Sequence, residues 1–333
     1  MSDPAGNAHD GGTADETAEV AVAMAFGDMD VEIGPIAYGT ATLFRDTIDG
    51  AVDRLEAAVD CGMTLVDTAD AWGFDRFGEA VGSGPDGTGP DPAWPGFGAS
   101  EEMLARVFAE LPDLRDRVVL STKGGLFPPL PYDTSAEYLR QACDASLYRL
   151  GVDVIDLYQV HQPDHLTHPA EVAEVLTELR DAGKVREIGL VNHTRSQVET
   201  LQSFLDFPIV AVQLRFNPAM TGALSDGTLD LAMETGLTPL AWSPLAGGAL
   251  CGETTTRKES AIAAVCDRIG AEQGVSREAV LLAWSMHHPS GIIPIVGAST
   301  VAHIRACARA EDVGLSRQQW YEILSAGRGS PLP

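Results

Sequence analysis

The 333-residue sequence is 45% hydrophobic and has a formal net charge of −26, with 48 acidic against 22 basic side chains. A chain of this length and hydrophobicity is sufficient for one large core or two modest ones. Its strong negative charge repels phosphate backbones and anionic lipid surfaces, which argues against a nucleic-acid or membrane partner. We interpret the acidic surface as the exterior of a highly soluble protein, in preference to an acidic recognition face.

The first 20 residues are predicted to form a disordered acidic tail. They are polar and lack the apolar segment of a signal peptide, and no stretch of the chain is long and apolar enough to span a membrane. A hairpin over residues 22–33, with its turn at Gly27 and Asp28, is predicted to close the bottom of the domain. We expect a single domain over residues 21–333, because no linker interrupts them.

Short apolar runs that end in polar residues alternate with amphipathic segments from residue 35 onward. Strands are predicted over residues 35–40, 63–69, 117–123, 155–161, 186–192, 209–214, 237–242 and 292–297. The near-continuous apolar runs are typical of buried parallel strands, and the intervening segments have helical periodicity. Eight strand–helix repeats in this length predict an α/β fold of the closed (β/α)₈ TIM-barrel type, completed by a C-terminal helix.

The segment between the third and fourth predicted strands, residues 135–151, illustrates the helical pattern. One face of this segment, which we expect to be buried, carries Leu139, Ala142, Cys143, Ser146 and Leu150. Gly151 then supplies the helix stop, because glycine readily adopts the left-handed conformation at a helix end.

Residues 74–98 break this pattern, because they are rich in Gly, Pro and Asp and have neither helical nor strand periodicity. They follow the second strand, so they form a βα loop on the face where barrel active sites lie. An inserted loop of this length is either functional or disordered. Four aromatic residues indicate packing against another surface, such as a substrate pocket, and they are Phe74, Phe77, Trp94 and Phe97.

Five cysteines are scattered along the chain, at positions 61, 143, 251, 266 and 307. Their odd number and the absence of a C-x-x-C pair argue against a disulfide framework and against structural zinc, and we predict no metal site. Reduced thiols of this kind are expected of a cytoplasmic protein.

Polar side chains close five consecutive predicted strands, from the second to the sixth. In chain order they are Asp67, Lys123, His161, Asn192 and Gln213. The C-terminal strand ends of a barrel converge on one pocket, so we expect these side chains to meet there. A buried Asp–Lys pair tunes the groups bonded to it, a histidine can donate to a carbonyl oxygen, and two amides suit a planar carboxamide. Each residue alone would be interpreted as a structural polar group, and only the five together predict a site.

Seven motifs surround these residues in order: GMTLVDTADAWG, VVLSTKGG, DLYQVHQPD, GKVREIGLVNHT, AVQLRFNP, AWSPLAGG and PIVGAS. They resemble the successive signatures of the aldo-keto reductases, over residues 30–326, and the ending is similar to a bacterial branch of generic oxidoreductases. The resemblance implies a barrel that binds NADP(H) across its mouth and transfers hydride between the nicotinamide and a small-molecule carbonyl or alcohol substrate. The absence of a G-x-G-x-x-G fingerprint agrees with a fold that lacks a Rossmann domain. Nothing in the sequence indicates an oligomeric state.

The resemblance also implies roles for individual residues by motif position. Its catalytic group comprises Asp67, Trp72, Lys123 and His161, with Trp72 in the position of the family's acid tyrosine. The implied cofactor-binding residues are Gly39, Thr40, Asp67, Asn192, Gln213, Trp242, Ser243, Leu245, Gly297, Ser299, Thr300 and His303. Among these, the amides of Asn192 and Gln213 hold the carboxamide, and Trp242 stacks on the nicotinamide.

Two departures from the family pattern concern the cofactor. Val191 replaces the serine that usually precedes Asn192, which removes one hydrogen bond to the carboxamide. The eighth strand lacks the lysine expected at Ser299 or Thr300, and His303 replaces the arginine that stacks on adenine and holds the 2′-phosphate. We therefore expect NADP(H) as the cofactor, with NAD(H) also accepted.

Trp72 is the departure with the largest consequence for the chemistry. An indole N–H donates a hydrogen bond, but it is far too weak an acid to release its proton at neutral pH. Another group is then the acid (His161, a water held by Lys123, or Tyr132), or the protein is a weakly active NADP(H)-binding sensor, or Trp72 stacks on an unusual substrate. The retained Asp67–Lys123 pair favours an enzyme, because burying it costs desolvation, although such a pair can also stabilise the barrel.

Overall fold

The computed structural model describes residues 32–73, 96–126 and 132–330. Within these ranges, eight parallel strands close into a barrel in chain order, and each overlaps one predicted strand. They are β1 (Ala37–Gly39), β2 (Leu65–Asp67), β3 (Val119–Gly124), β4 (Ile155–Val160), β5 (Val185–Val191), β6 (Ile209–Arg215), β7 (Thr238–Trp242) and β8 (Ile293–Val296). The predicted (β/α)₈ barrel is therefore confirmed.

Helices connect the strands and form the outer layer. They are α1 (Ile48–Asp60), α2 (Ala99–Glu110), α3 (Ala136–Leu150), α4 (Pro169–Asp181), α5 (Arg195–Gln202), α6 (Thr228–Thr235), α7 (Arg257–Gln273), α8 (Arg277–Met286), α9 (Val301–Ala308) and α10 (Arg317–Arg328). None of the described helices combines the length and the apolar composition that a bilayer crossing requires.

Local sequence signals explain where several helices begin and end. Thr194, Thr256 and Ser316 begin α5, α7 and α10 with capping boxes, in which cap and third helical residue satisfy each other's backbone N–H groups. Helix α3 begins after the Ser135 cap and ends at Gly151, which has a φ of 65°. The face predicted for α3 is the buried one, because its residues recur with the helical period.

Side chains alternate along the strands between the barrel interior and the layer that packs against the helices. The barrel interior is filled by Ile33, Ala37, Leu65, Val119, Leu157, Val210, Ala211, Leu240, Ile293 and Ile295. Leu65 points inward, so Asp67, two positions later, also points inward at the C-terminal end of β2. The same alternation on β3 turns Val119, Ser121 and Lys123 inward, which brings charged groups to the barrel mouth.

The predicted tail and most of the predicted hairpin lie outside the described residues, as does the loop over residues 74–95. From the hairpin, Ile33 is buried in the barrel interior. The two described ends of the loop are in contact, since a β-carbon on Gly73 would lie 2.1 Å from the carbonyl oxygen of Gly96. Gly96 therefore lies beside Gly73, the residue that follows Trp72.

Phe97 is the one predicted loop aromatic within the described ranges. Its ring centroid lies 5.8 Å from the guanidinium carbon of Arg149, which pairs at 2.7 Å with the buried Glu101. The next residue is glycine for a steric reason, because a β-carbon on Gly98 would lie 2.2 Å from Arg149 Nε. Phe97 thus packs against the side chains between α2 and α3. A substrate pocket was the surface that the sequence analysis suggested for it.

The predicted C-terminal helix is α10, and aromatic residues attach it to the barrel. Trp284 of α8 stacks between Phe216 and Trp320, with ring centroids 5.0 Å and 5.1 Å away. The indole N–H of Trp284 donates to Trp320 O, and that of Trp320 donates to Trp284 O, at 3.1 Å and 2.9 Å. These reciprocal bonds satisfy both polar groups, so the tryptophans can be buried without an unpaired donor.

Candidate active site

A fully buried ion pair lies at the C-terminal ends of β2 and β3. Lys123 Nζ donates to both carboxylate oxygens of Asp67 and to the carbonyl oxygen of Thr68, each at 2.7 Å. All three protons of the ammonium group are therefore directed at oxygen atoms. Burial lowers the pKa of Lys123, and the Asp67 carboxylate opposes that shift. The structure brings these two residues together, as the strand-end pattern predicted.

The carboxylate of Asp67 accepts from further side chains within the barrel. Its Oδ1 accepts from Ser121 Oγ at 3.0 Å, from Gln159 Nε2 at 3.1 Å and from Gln213 Nε2 at 3.2 Å. Gln159 Nε2 also donates to Ser121 Oγ at 2.7 Å. These donors orient the carboxylate, so Asp67 holds Lys123 in one position.

Ser121 and Gln159 were not predicted as site residues. Each stands two positions before a predicted one, Lys123 on β3 and His161 after β4. Because side chains alternate along a strand, the spacing that turns Lys123 inward also turns Ser121 inward. That period of two is the sequence signal that could have found both residues.

The indole ring of Trp72 covers the ammonium group of the buried lysine. Lys123 Nζ lies 4.5 Å from the Trp72 ring centroid, within cation–π range. The Trp72 backbone is held at both ends, since its N–H donates to Ala69 O at 3.2 Å and its carbonyl accepts from Ser100 N at 3.3 Å. Trp72 is partly exposed while Lys123 is fully buried, so the ring separates the charge from solvent.

The two side-chain alternatives to Trp72 as an acid differ in their placement. His161 directly follows β4 and is largely buried, and its backbone N–H donates to Gly124 O at 2.8 Å. It therefore lies at the C-terminal end of β4, the strand that pairs with the strand of Lys123. Tyr132 is 38% exposed and precedes α3, outside the barrel strands. The strand pairing favours His161 of these two.

Asn192, Gln213 and Trp242 form one connected group on neighbouring strands. Trp242 Nε1 donates to Asn192 Oδ1 at 2.9 Å, and Asn192 N donates to Gln213 O at 2.8 Å. Gln213 uses its amide nitrogen for Asp67, and Asn192 uses its amide oxygen for Trp242. The amide N–H groups of Asn192 and the amide oxygen of Gln213 have no hydrogen bond among the described residues. One donor group and one acceptor remain, which is the pair that a carboxamide requires.

Backbone conformation also distinguishes this part of the barrel mouth. Within the described ranges, the non-glycine residues with positive φ are Asn192 at 57°, Ser243 at 53° and Ala246 at 54°. This conformation is uncommon for residues with a β-carbon and clusters at ligand sites. Ser243 is held by Asn217, whose Nδ2 donates to Ser243 O at 2.9 Å. Two of these three residues are among the predicted cofactor contacts.

Gly39 and Thr40, two of the predicted cofactor residues, make close contacts with neighbouring strands. Thr40 is fully buried, and both its N–H and its hydroxyl donate to Asp67 O, at 2.9 Å and 3.2 Å. A β-carbon on Gly39 would lie 2.9 Å from Ile295 Cγ2, so β1 and β8 pack closely there. These contacts join the ends of β1, β2 and β8, and the cofactor role of the two residues stays a prediction.

The remaining predicted cofactor residues surround the ends of β7 and β8. Leu245 is buried, whereas Gly297, Ser299 and Thr300 are exposed. Thr300 caps α9, and its Oγ1 accepts from the backbone N–H of His303 at 3.2 Å. Leu245 belongs to the loop after β7, and the others belong to the eighth βα loop and the start of its helix.

His193, directly after Asn192, makes the stability of the folded protein depend on pH. Its Nδ1 donates to Val191 O at 2.9 Å, and burial lowers the pKa of His193 from 6.5 to about 4. Because the folded pKa is the lower one, the unfolded chain takes up the proton first as the pH falls. The stability that depends on neutral His193 is therefore complete above about pH 6.5 and is lost as the pH falls to about 4.

We expect acidification through this range to lower the free energy of unfolding by roughly 1–2 kcal/mol through His193, after allowance for the partial exposure of its ring. Urea unfolding at a series of pH values measures this effect. In His193→Asn that part of the pH dependence should disappear, while the exposed control His165→Asn should retain it. An unchanged pH profile in His193→Asn would show that another group is responsible.

The fold and the site together are those of a class of barrel enzymes, in which charged and amide groups converge at the C-terminal ends of the strands. The sequence model of the Aldo/keto reductase family matches residues 35–328, and the chain belongs to this family. It is 44% identical over 309 residues to the 6-dehydroglucose reductase of Novosphingobium aromaticivorans, covering 92% of this chain and 96% of that protein. It is 30% identical over 314 residues to the 6-dehydroglucose reductase of Agrobacterium fabrum, covering 91% and 97%.

Solved structures show the same fold. A thermostable aldo-keto reductase, Tm1743, solved with epalrestat, matches with a TM-score of 0.73 at 22% identity, covering 92% of this chain and 100% of that one. An aldo/keto reductase of Klebsiella pneumoniae, in complex with NADP and acetate, matches with a TM-score of 0.70 at 24% identity, covering 91% and 93%. The family and its oxidoreductase relatives make this chain an enzyme, and the alternative of a sensor finds no support in them.

Proposed function

We propose that this enzyme is an NADP(H)-dependent reductase that converts an aldehyde on a sugar-like substrate into the alcohol. The observation that carries the proposal is the buried Asp67–Lys123 pair beneath Trp72 at the barrel mouth. The two relatives named 6-dehydroglucose reductase support the substrate class, since that compound is a hexose with an aldehyde at C6. The Klebsiella structure with NADP supports the cofactor.

The groups at the barrel mouth fit a nicotinamide cofactor. When bound, NADPH supplies a hydride from nicotinamide C4 to the carbonyl carbon of the substrate. The amide N–H of Asn192 would donate to its carboxamide and the amide oxygen of Gln213 would accept from it, which fixes the face that the ring presents. Trp242 offers a flat surface for stacking, and the Arg215 guanidinium carbon lies 5.1 Å from the Trp242 ring centroid.

The carbonyl oxygen must gain a proton as the hydride reaches the carbon. The indole of Trp72 does not release its proton, and Lys123 directs its protons at Asp67 and Thr68. We therefore assign to His161 the donation of this proton to the carbonyl oxygen. The positive charge of Lys123 stabilises the negative charge that develops on the oxygen.

Trp72 suits a hydroxylated substrate better than a phenol would. An indole face offers more area for packing against the C–H groups of a pyranose, and its N–H can donate to a hydroxyl. The ring stands directly above Lys123, so a sugar bound on Trp72 would hold its aldehyde near the charged pair. This role corresponds to the third interpretation of Trp72 from the sequence.

Purified protein supplied with NADPH and 6-dehydroglucose tests the proposal. We expect NADPH oxidation with formation of an equal amount of glucose. Benzaldehyde, which has an aldehyde but no hydroxyl groups, should react at least about tenfold more slowly, because its lack of hydroxyls leaves the polar site unpaired. Equal rates on the two aldehydes would contradict the sugar assignment. An absence of NADPH oxidation with every aldehyde would contradict the reductase assignment.

Discrimination between NADPH and NADH is expected to be modest. His303 stands where the family has an arginine, and the Glu278 carboxylate lies within 4.8 Å of a His303 ring nitrogen. A nearby carboxylate disfavours a 2′-phosphate, and loss of one charge-assisted phosphate contact costs about 1.5–3 kcal/mol. Titration of both cofactors, followed by quenching of tryptophan fluorescence, measures the preference.

His303→Arg should increase the preference for NADPH by at least about tenfold, the size of one such contact. His165→Arg, the same substitution at an exposed position, should leave it unchanged. A wild-type preference for NADPH above about a thousandfold would contradict the expectation, since it exceeds what a weakened phosphate site allows.

The cysteines support a reducing compartment. All five are free thiols, and burial raises the pKa of Cys143, Cys266 and Cys307 to about 12. These thiols stay protonated at neutral pH and are poor nucleophiles, so we assign them no part in catalysis. We propose a cytoplasmic location, where such thiols remain reduced.

A further inference from the structure

Three side chains with metal-ligating atoms converge at the rim of the barrel beyond β7 and β8. They are Cys251 in the loop after β7, Glu278 in the first turn of α8 and His303 in the first turn of α9. The Cys251 Sγ, a Glu278 carboxylate oxygen and a His303 ring nitrogen all lie within 4.8 Å of one another. This cluster is distinct from the Asp67–Lys123 pair, which lies at the ends of β2 and β3.

The three side chains approach one another without forming a hydrogen-bonded network. Within the described residues, the side chains of Cys251, Glu278 and His303 make no hydrogen bond and no ion pair, and His303 Nε2 is buried without a partner. All three are only partly exposed. A buried polar atom normally finds a partner, and a ligand shared with the nearby Glu278 carboxylate and Cys251 thiol would supply one to His303 Nε2.

Neighbouring contacts hold the cysteine of this cluster in position. Arg277 Nη1 donates to the carbonyl oxygens on either side of Cys251, at 3.2 Å to Leu250 O and 3.0 Å to Gly252 O. The same guanidinium is itself anchored by Asp267, with two bonds of 2.7 Å. Cys251 therefore sits on a loop that is tied to the first residue of α8.

The other two members of the cluster stand on helices. Glu278 directly follows Arg277, in a turn that begins at the Ser276 cap. His303 lies in the turn capped by Thr300, whose Oγ1 accepts from the His303 backbone N–H at 3.2 Å. Sites built on capped helix ends hold their ligands with small positional error.

We propose that Cys251, Glu278 and His303 form a binding site for a divalent cation of the zinc class. A sulfur, a nitrogen and an oxygen donor are the set that Zn²⁺ takes, whereas Mg²⁺ and Ca²⁺ select oxygen ligands alone. Tetrahedral zinc places its ligand atoms about 3.5 Å apart. The distances of up to 4.8 Å between the three ligand atoms would therefore shorten by side-chain rotation when the metal binds. Three protein ligands leave the fourth position to water, and the Cys251 thiol releases its proton to solvent as the metal binds.

The site does not depend on the proposed reductase activity, so it is measured without cofactor and without substrate. His303 is also a predicted cofactor contact, which is a second reason to leave the cofactor out. Purified protein is freed of metal with a chelator and dialysed against Zn²⁺, and bound zinc is determined by elemental analysis. We expect a single zinc ion per chain in the wild type.

Each ligand variant, Cys251→Ser, Glu278→Gln or His303→Gln, should weaken zinc binding by at least about tenfold, since the loss of even an outer-shell partner has an effect of that size. The matched controls are Cys61→Ser, at another partly buried free thiol, and His165→Gln, at an exposed histidine. Both controls should bind zinc as the wild type does. Zinc affinity that is the same in all three ligand variants as in the wild type would overturn the proposal.

Cobalt substitution gives a second readout that is specific for the sulfur ligand. Co²⁺ bound to a thiolate has a sulfur-to-metal charge-transfer band, which we expect in the wild type and in Cys61→Ser but not in Cys251→Ser. Added Zn²⁺ should abolish the band. Circular dichroism establishes whether each variant is folded. If Cys251→Ser does not fold, the zinc affinities of Glu278→Gln and His303→Gln decide whether the cluster binds the metal. A band that persists in folded Cys251→Ser would overturn the assignment.

Discussion

Replacement of Lys123 by methionine is expected to reduce turnover to background while cofactor affinity stays within a few-fold of wild type. The ammonium group is the positive charge nearest to Asp67, and no solvent reaches it to take over its role. Removal of a preorganised charge at a developing oxyanion costs about 10²–10³ in kcat. Steady-state kinetics with NADPH and fluorescence titration of the cofactor measure the two quantities separately.

The expected loss must be separated from a loss of folding. Lys123→Met leaves Asp67 as a buried carboxylate without its cation, which costs roughly 3–5 kcal/mol of unfolding free energy. The double variant Asp67→Asn/Lys123→Met removes both charges, so stability should recover while turnover does not. Lys184→Met, at a partly exposed lysine that pairs with Asp144 on the surface, is the control and should leave turnover unchanged and stability within about 1 kcal/mol. Wild-type turnover in Lys123→Met would assign the pair a structural role alone.

Replacement of Trp72 by tyrosine is expected to increase the rate on a generic aldehyde such as nitrobenzaldehyde by at least about tenfold, a cautious fraction of what general acid catalysis contributes. The indole lies against Lys123, so a phenol in its place would have an acidic proton beside the ammonium group. A phenol is smaller than an indole, and the exchange leaves a small cavity without overpacking the site. Steady-state rates with NADPH measure the change.

Trp72→Phe is the matched control for this substitution. It removes the indole to a similar extent but supplies no proton, so it should give no increase on nitrobenzaldehyde. On 6-dehydroglucose we expect both variants to lose activity, because each reduces the stacking surface. A rate on nitrobenzaldehyde that is already high in the wild type and falls in Trp72→Tyr would contradict this prediction, because the wild type would then have an efficient acid already. Two further variants would then identify the acid. His161→Gln tests His161, and Tyr132→Phe tests Tyr132.

The sequence by itself determined the barrel and its order of elements. Apolar runs and helical periods are local patterns, so the strand that ends at Asp67 and the buried face of α3 could be predicted before any tertiary contact was known. The convergence of strand ends extends this reasoning to the site, because Lys123 and Asp67 close neighbouring strands of any such barrel. The same alternation would have added Ser121 and Gln159.

Only the tertiary structure decided what the polar groups contact. Gln213 donates an amide N–H to the Asp67 carboxylate, whereas Thr40 donates its hydroxyl to the Asp67 backbone carbonyl. The contact of Trp72 with Lys123 likewise depends on the bonds that its backbone makes to Ala69 and Ser100. Residue type alone does not distinguish these outcomes, because hydrogen-bond partners depend on distances across the barrel.

The proposed zinc site of Cys251, Glu278 and His303 rests on a proximity that spacing along the chain does not reveal. The sequence predicted no metal site, because its cysteines form none of the short ligand spacings that mark zinc motifs. Its three residues stand on a loop and two different helices, and closure of the barrel brings them within 4.8 Å. Contacts between elements distant in the chain arise from packing, and a pattern read along the chain contains no information about them.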